Sequence, residues 1–252
     1  MDKYIKTYRD GICELINRIA EEHANIEKAA DVIAQAVAAD NMVHVIGPGG
    51  HSNIAVEEIL WRAGGLAHLN AILDSGTNLI HGAKRSNVVE RTPGYARAVL
   101  DSYRVGKSPG EVMIIVNAYG INAMTIDTVE ECKKRGVFTI GVTSTSFCEL
   151  VKPGAPARHP SGKNLYQEVD IFIDNHLPAG DSIVSIDGFS QTTGSTSTFC
   201  NCFVMNCIVI ETVKKLVSMG VNPPVYMSAN MPEGDAHNKA LEEKYYGLIR
   251  HL

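Results

Sequence analysis

The feature that most constrains this chain is a repeated order: a short β-branched run, a glycine- or hydroxyl-rich turn, then apolar residues at helical spacing. Residues 42–46 run into Gly47-Pro48-Gly49-Gly50-His51-Ser52-Asn53, followed by Val56, Ile59, Leu60 and Ala63. Residues 111–117 contain Val-Met-Ile-Ile-Val and turn through Ala118-Tyr119-Gly120-Ile121-Asn122 into a helix that stops at Gly136. Residues 137–142 form the next run, closed by Thr143-Ser144-Thr145-Ser146, and 169–173 give another. Such units predict an α/β fold: a parallel sheet with right-handed crossovers and helices on both faces. Ligands of such sheets bind beyond the carboxyl ends of the strands. The turns at 47–53, 117–122 and 143–146 all lie on that edge.

The first turn carries the clearest chemistry. Glycines let bare backbone N–H groups converge at the positive end of a helix dipole, a geometry that suits an anion such as phosphate. Gly49 and Gly50 provide the close approach, Ser52 a hydroxyl, and Asn53 a cap. Glu57 and Glu58 stand little more than a turn further on. The dinucleotide fingerprint fails, because Ser52 stands where the third glycine belongs, and no Gly-Lys-Ser/Thr follows. The phosphate expected here therefore belongs to something smaller than a nucleotide.

Elsewhere, residues 3–39 read as one long helical segment, or two helices broken near Asn25, with Ile5, Ile12, Ile19, Ile26 and Ile33 in one stripe. That stripe covers its own sheet or the same helix of a second subunit. Residues 66–69 start a second strand. Residues 74–92 read as a long loop, with His81, Lys84 and Arg85 near any anion. Residues 147–167 are a second long connection, carrying His159, Ser161 and Lys163. Residues 174–194 read as irregular, with Asp174, Asp181 and Asp187 as turn formers and caps. Ser195-Thr196-Ser197-Thr198 precede an apolar helix at 199–217, as a second anion cradle or as simple capping residues. The last helix opens within 232–238, capped by Asp235 or Asn238, and runs to about Ile249.

Composition excludes several classes. At 252 residues, 45% hydrophobic and 20% charged, the chain can bury a sizeable core. A net charge of −5 without basic runs argues against nucleic acid as a partner. No apolar stretch reaches membrane-spanning length, and residues 1–6 lack a signal-peptide core, so the expected location is cytoplasmic. The six cysteines include no Cys-x-x-Cys pair, so reduced thiols are expected, with no metal and no cofactor.

Taken together, these residues resemble the sugar isomerase (SIS) domain family. The resemblance rests on Gly47-Pro48-Gly49-Gly50-His51-Ser52, Tyr119-Gly120-Ile121-Asn122, Gly141-Val142-Thr143-Ser144 and the hydroxyl cluster 195–198. Arg62-Ala63-Gly64-Gly65-Leu66, His159-Pro160-Ser161-Gly162-Lys163 and Ser228-Ala229-Asn230 resemble a bacterial subfamily. Phosphoheptose isomerase and N-acetylmuramic acid 6-phosphate etherase are similar at greater distance. The resemblance implies one SIS domain over 1–252, a three-layer αβα, flavodoxin-like sandwich with a five-stranded parallel sheet, and a homodimer or homotetramer.

It also implies a small-molecule phosphosugar ligand. Asn117, Ala118, Tyr119 and Gly120 replace the family's Ser-x-Ser-Gly turn. Phosphate would then depend on backbone N–H groups, Ser52, Thr143, Ser144 and residues 195–198, with Asn117, Tyr119, Asn122 and Lys163 nearby. Cys202 and Met205 stand where phosphoheptose isomerases carry Gln and His, which argues against a zinc site. The expected reaction is aldose–ketose isomerisation, with Glu58, or else Glu57, as base and His51, His159 or His237 shuttling a proton. Elimination of a group β to the carbonyl, and a non-catalytic phosphosugar sensor, are the alternatives.

Overall fold

The computed structural model describes residues 2–252. Five strands, β1 (Val43–Ile46), β2 (Leu69–Ile72), β3 (Val112–Val116), β4 (Phe138–Thr143) and β5 (Ile171–Asp174), form one parallel sheet in the order β2-β1-β3-β4-β5. Every residue of β1, β2 and β3 is buried, as a sheet covered on both faces requires. Alternate residues serve opposite faces. Val112, Ile114 and Val116 join one apolar cluster, and Met113 and Ile115 the other.

The first face is covered by α1 (Lys3–Ala20), α2 (His23–Ala38), α3 (Ser52–Ile59) and α9 (Ser197–Ser218). The opposite face is covered by α5 (Tyr95–Ser102), α6 (Ala123–Arg135) and α8 (Leu165–Glu168). Two short helices, α4 (Ala83–Val89) and α7 (Thr145–Leu150), lie in the connections, and α10 (Gly234–Tyr245) closes the described chain's helices. Burying one Val, Leu or Ile side chain contributes about 1.5–3 kcal/mol, so the two clusters supply most of the driving force.

The break in the N-terminal segment falls at Glu21-Glu22, and Ile19, Ile26 and Ile33 are fully buried against the chain's own core. The helix after β3 ends on Gly136 in the left-handed region, φ +70°, as its sequence predicts.

Four expectations are corrected. The second strand is Leu69–Ile72, not 66–69; Leu66 instead bridges Val225. Residues 74–92 contain a 3-10 turn, Leu79–His81, and α4 rather than loop alone. Residues 174–194 contain most of an antiparallel hairpin, β6 (Ser182–Ser185) with β7 (Thr192–Ser195). Neither Asp235 nor Asn238 caps α10, whose N-cap is Glu233. Asn238 clamps Met227 instead, donating to its carbonyl at 2.8 Å and accepting from its N–H at 2.9 Å. A side chain that satisfies both groups of an irregular backbone segment is worth more there than at a solvated helix end.

Candidate functional site

The strand order reverses at β1: the chain passes from β1 to β2 on one side and then to β3 on the other. The turns after β1 and β3 therefore separate at the carboxyl edge and leave a crevice of about 280 Å³ between them. Gly49, Gly50, His51 and Ser52 line one wall, Asn117, Tyr119 and Asn122 another, and Ser86, Asn87 and Glu90 a third. Asp181, Ser197 and Asn201 close it from the α9 side.

The first wall is fixed by its own backbone. A Cβ on Gly47 would sit 2.2 Å from the Ser52 carbonyl, so only glycine lets β1 fold back onto α3. Asn53 lies inside α3 and does not cap it. Its amide holds the turn, donating to the Gly49 carbonyl at 2.9 Å and the Thr77 carbonyl at 3.3 Å. The N–H groups of His51 and Ser52 have no hydrogen-bond partner among the described residues. They stand at the N-terminus of α3, where the helix dipole favours negative charge.

The second wall is polar and braced. Asn117 and Asn122 both donate to the Pro48 carbonyl, at 3.3 and 3.2 Å, tying the β3 turn to the β1 turn. Asn117 also accepts from the N–H groups of Tyr119 and Gly120, and Asn122 caps α6 through Thr125. Tyr119 stacks on Phe147, ring centres 3.9 Å apart. Behind Gly120 the Thr143 hydroxyl is buried without a partner.

Glu90 is the acid of the crevice. Its carboxylate lies beside the Gly50 backbone N–H, and a Cβ on Gly49 would meet its Oε2 at 2.9 Å. Burial raises its pKa, and the Gly50 N–H and Arg91 offset that only in part.

The hydroxyl cluster before α9 is already occupied. Asp181 accepts from the Ser197 N–H at 2.7 Å and the Thr196 N–H at 3.0 Å, and also from both hydroxyls. The anion at this helix N-terminus is the chain's own carboxylate, so Thr196 and Ser197 cap through Asp181. Thr198 is half-buried, and Ser195 offers its carbonyl to the Tyr8 hydroxyl at 2.6 Å.

The other expected site residues lie away from the crevice lining. Glu57 is exposed and accepts from Asn78 at 3.0 Å. Glu58 faces α9, 3.3 Å from Arg62 and 3.4 Å from the Asn206 amide. His159 pairs with Asp127 at 3.3 Å, and His237 reaches the Val225 carbonyl at 2.9 Å. Lys163 pairs with Glu130 and Glu168, and the Ser144 hydroxyl donates to the Leu177 carbonyl. Of the three histidines only His51 lines the crevice. Sequence reasoning missed Glu90, whose only signal was an acid at the end of a polar stretch; it read Asp181 as a turn former or cap, and Asp181 does cap α9. Among the described residues no group of three or more His, Cys, Asp or Glu is placed to hold a metal ion, and no helix is long and apolar enough to cross a membrane.

This topology defines a doubly wound α/β domain with a polar crevice at the strand reversal. Comparison with known proteins narrows the class. The SIS domain profile matches residues 7–144. A UPF0309 protein of Listeria monocytogenes serotype 4b is 34% identical over 242 residues, 96% of this chain and 95% of that protein. Another, from Caldanaerobacter subterraneus, is 34% identical over 249 residues, 97% of this chain and 98% of that protein. The solved phosphoheptose isomerase of Francisella tularensis shares the fold, with a TM-score of 0.53 and 13% identity over 83% of this chain and 96% of that one. The chain belongs to the SIS domain family and, within it, to the UPF0309 proteins.

Proposed function

We propose that the crevice binds a phosphosugar and that the protein isomerises it between aldose and ketose forms, as one SIS domain over residues 1–252. The observation that carries this reading is one juxtaposition. Two unpartnered N–H groups at the start of α3, His51 and Ser52, share a crevice with the half-buried carboxylate of Glu90. The N–H groups and the Ser52 hydroxyl suit phosphate oxygens. Asn87, Asn117 and Asn122 offer amides to sugar hydroxyls. The fold shared with a phosphoheptose isomerase supports the same class of ligand.

Glu90 takes the base role that sequence reasoning gave to Glu58. It removes the proton from the carbon next to the carbonyl, and the C–H electron pair forms the carbon–carbon double bond of an enediolate while the carbonyl π pair moves onto its oxygen. The proton of the neighbouring hydroxyl passes to that oxygen, and the carboxyl returns its own proton to the former carbonyl carbon as the new carbonyl forms. A carboxylate with a raised pKa is the stronger base for that step. His51, which lines the crevice, passes a proton during ring opening. Glu90→Gln tests the reading: turnover of the sugar phosphate should fall at least 100-fold while its dissociation constant changes less than about threefold. A wild-type protein that binds phosphosugars with no turnover to lose would make the crevice a sensor.

A further inference from the structure

A turn outside the crevice brings a serine, a histidine and an aspartate into line. The Ser161 hydroxyl lies 2.7 Å from His159 Nδ1, and His159 Nε2 lies 3.3 Å from Asp127 Oδ1. The Ser161 backbone N–H also donates to Nδ1, at 3.1 Å. Nδ1 is therefore the bare nitrogen, and Nε2 carries the proton that Asp127 accepts. A general base needs this tautomer: its lone pair faces the hydroxyl, and a carboxylate behind the ring steadies the imidazolium once formed. Hydrolytic triads usually set Nε2 against the serine and Nδ1 against the carboxylate. Here the ring is turned end for end with both roles kept.

The surroundings hold the three groups in place. Pro160 and Gly162 fill the second and fourth positions of a turn that the Gly162 N–H closes on the His159 carbonyl at 3.0 Å. Arg158, 8% exposed, clamps this turn from inside. Its guanidinium donates to the Val151 carbonyl at 2.8 Å, the Gly162 carbonyl at 3.0 Å and the Asn164 side chain at 2.7 Å. The His159 N–H donates to the Ile121 carbonyl at 2.7 Å and ties the turn to the entry of α6. On α6 the second Asp127 oxygen accepts from the Gly94 N–H at 2.6 Å, which keeps the carboxylate from swinging away. The His159 and Asp127 side chains are only 12% and 14% exposed, whereas Ser161 is open to solution. A hydroxyl that solutes can reach, backed by a sheltered base and its orienting acid, is the arrangement of a nucleophile.

We infer that Ser161 takes an acyl group from a small activated ester, with His159 as its base and Asp127 positioning the imidazole. The Ser161 oxygen attacks the acyl carbonyl carbon while its proton passes to His159 Nδ1, and the carbonyl π pair moves onto its oxygen. That pair then returns, the bond to the leaving alcohol's oxygen breaks, and the alkoxide takes the proton from Nδ1. The products are an acylated serine and the alcohol. Water attacks the acyl group in the same way, giving its proton to Nδ1, and the departing Ser161 oxygen recovers it, so ester and water become acid and alcohol. The Lys163 N–H, 3.4 Å from the Ser161 oxygen, is a donor beside the developing charge. Each donor to an oxyanion is worth roughly 10²–10³ in rate, so a site with a single long one turns over slowly. An activated leaving group speeds the first step alone, and the acylated serine accumulates.

The full chain with p-nitrophenyl acetate tests this. Wild type should release a burst of one nitrophenolate per chain before a slower steady rate, and digestion should find the acetyl group on the peptide that holds Ser161. Ser161→Ala, at an exposed position, should abolish the burst and leave the melting temperature unchanged. His159→Gln should slow the burst at least about 100-fold. Asp127→Asn keeps an acceptor for Gly94 but frees the imidazole to turn; it should slow the burst at least about tenfold, and Asp127→Glu should recover part of the loss. Circular dichroism should match wild type in every variant. No burst from wild type, acetyl groups on lysines alone, or a burst of full size from Ser161→Ala overturns the nucleophile. A His159→Gln protein as fast as wild type overturns the base, and an Asp127→Glu protein no faster than Asp127→Asn overturns the positioning role.

Discussion

The Asp181 carboxylate sits 2.7 Å from both the backbone N–H and the hydroxyl of Ser197, the first residue of α9. It thereby takes the place that an external anion would occupy at that helix N-terminus. Replacing a capping carboxylate costs about 1–2 kcal/mol. Asp181→Ala should therefore lower the melting temperature by several degrees. Inorganic phosphate should stabilise this variant more than the wild type, because it exposes two N–H groups and two hydroxyls. Thermal melts with and without phosphate check both effects; equal shifts in the two proteins would show that the cradle has no use for an anion.

Glu90 gives a pH-dependent prediction. Its folded pKa is raised from the ordinary 4.5, chiefly by burial. Below 4.5 the carboxyl is protonated in both states and carries no penalty. As pH rises through the folded value, the folded state gives up its proton less readily, and stability falls. Glu90→Gln should melt above wild type at pH 7.5 and level with it near pH 4. Each kcal/mol gained corresponds to about 2–4 °C in a domain of this size. A variant that melts lower at pH 7.5 would mean that the charge stabilises the fold.

Glu111 behaves oppositely. Burial pushes its carboxyl up, but His44 and the N–H groups of Gly106 and Ser108 together hold it below 4.5. His44 donates to it from Nε2 at 3.1 Å and accepts from Asn70 at Nδ1 at 3.0 Å. The contribution is complete above the ordinary carboxylate range and is lost as pH falls through the lowered value. Glu111→Ala, which strands those donors, should cost about 3–5 kcal/mol at neutral pH. The deficit relative to wild type should shrink under acid, as denaturant melts from pH 7 to pH 3 would show.

Two glycines separate fold from site. A Cβ on Gly47 meets backbone, the Ser52 carbonyl at 2.2 Å, whereas one on Gly49 meets the side chains of Glu90 and Asn117 at 2.9 and 3.2 Å. Gly47→Ala should lose several kcal/mol of stability. Gly49→Ala should lose less, about 1–3 kcal/mol as in other overpacked sites, yet abolish ligand-induced stabilisation. Chemical melts and ligand titrations of both variants test the distinction.

The sheet was legible because a strand buried on both faces must be apolar along its whole length, as at Val112–Val116. The helical character of residues 3–39 was legible from the isoleucine stripe, but that stripe runs on through Glu21-Glu22 and left open whether one helix or two carries it. The hairpin β6–β7 was not: its strands are four residues each, rich in Ser and Thr, and bury little beyond Val184. Helix α4 escaped because only Ser86 of its seven residues is buried, so no apolar period marks it. The cradle at 195–198 could be read from its hydroxyls. That its anion is Asp181 depends on the hairpin's return, which lies in tertiary structure. Glu58 was favoured by its place after the glycine turn, but α3 carries it round to face α9. Glu90 enters the crevice from a helix that the sequence does not announce.

The central claim is that the crevice beside Gly49 and Gly50 takes a sugar through its phosphate. Titrating the wild-type protein with paired sugars, phosphorylated and not, while following thermal unfolding tests it most directly. At about 100 times its dissociation constant a phosphosugar should stabilise by roughly 2.7 kcal/mol, its unphosphorylated partner should do far less, and Gly49→Ala should respond to neither. Equal stabilisation by both sugars, or a full response from Gly49→Ala, would contradict the account.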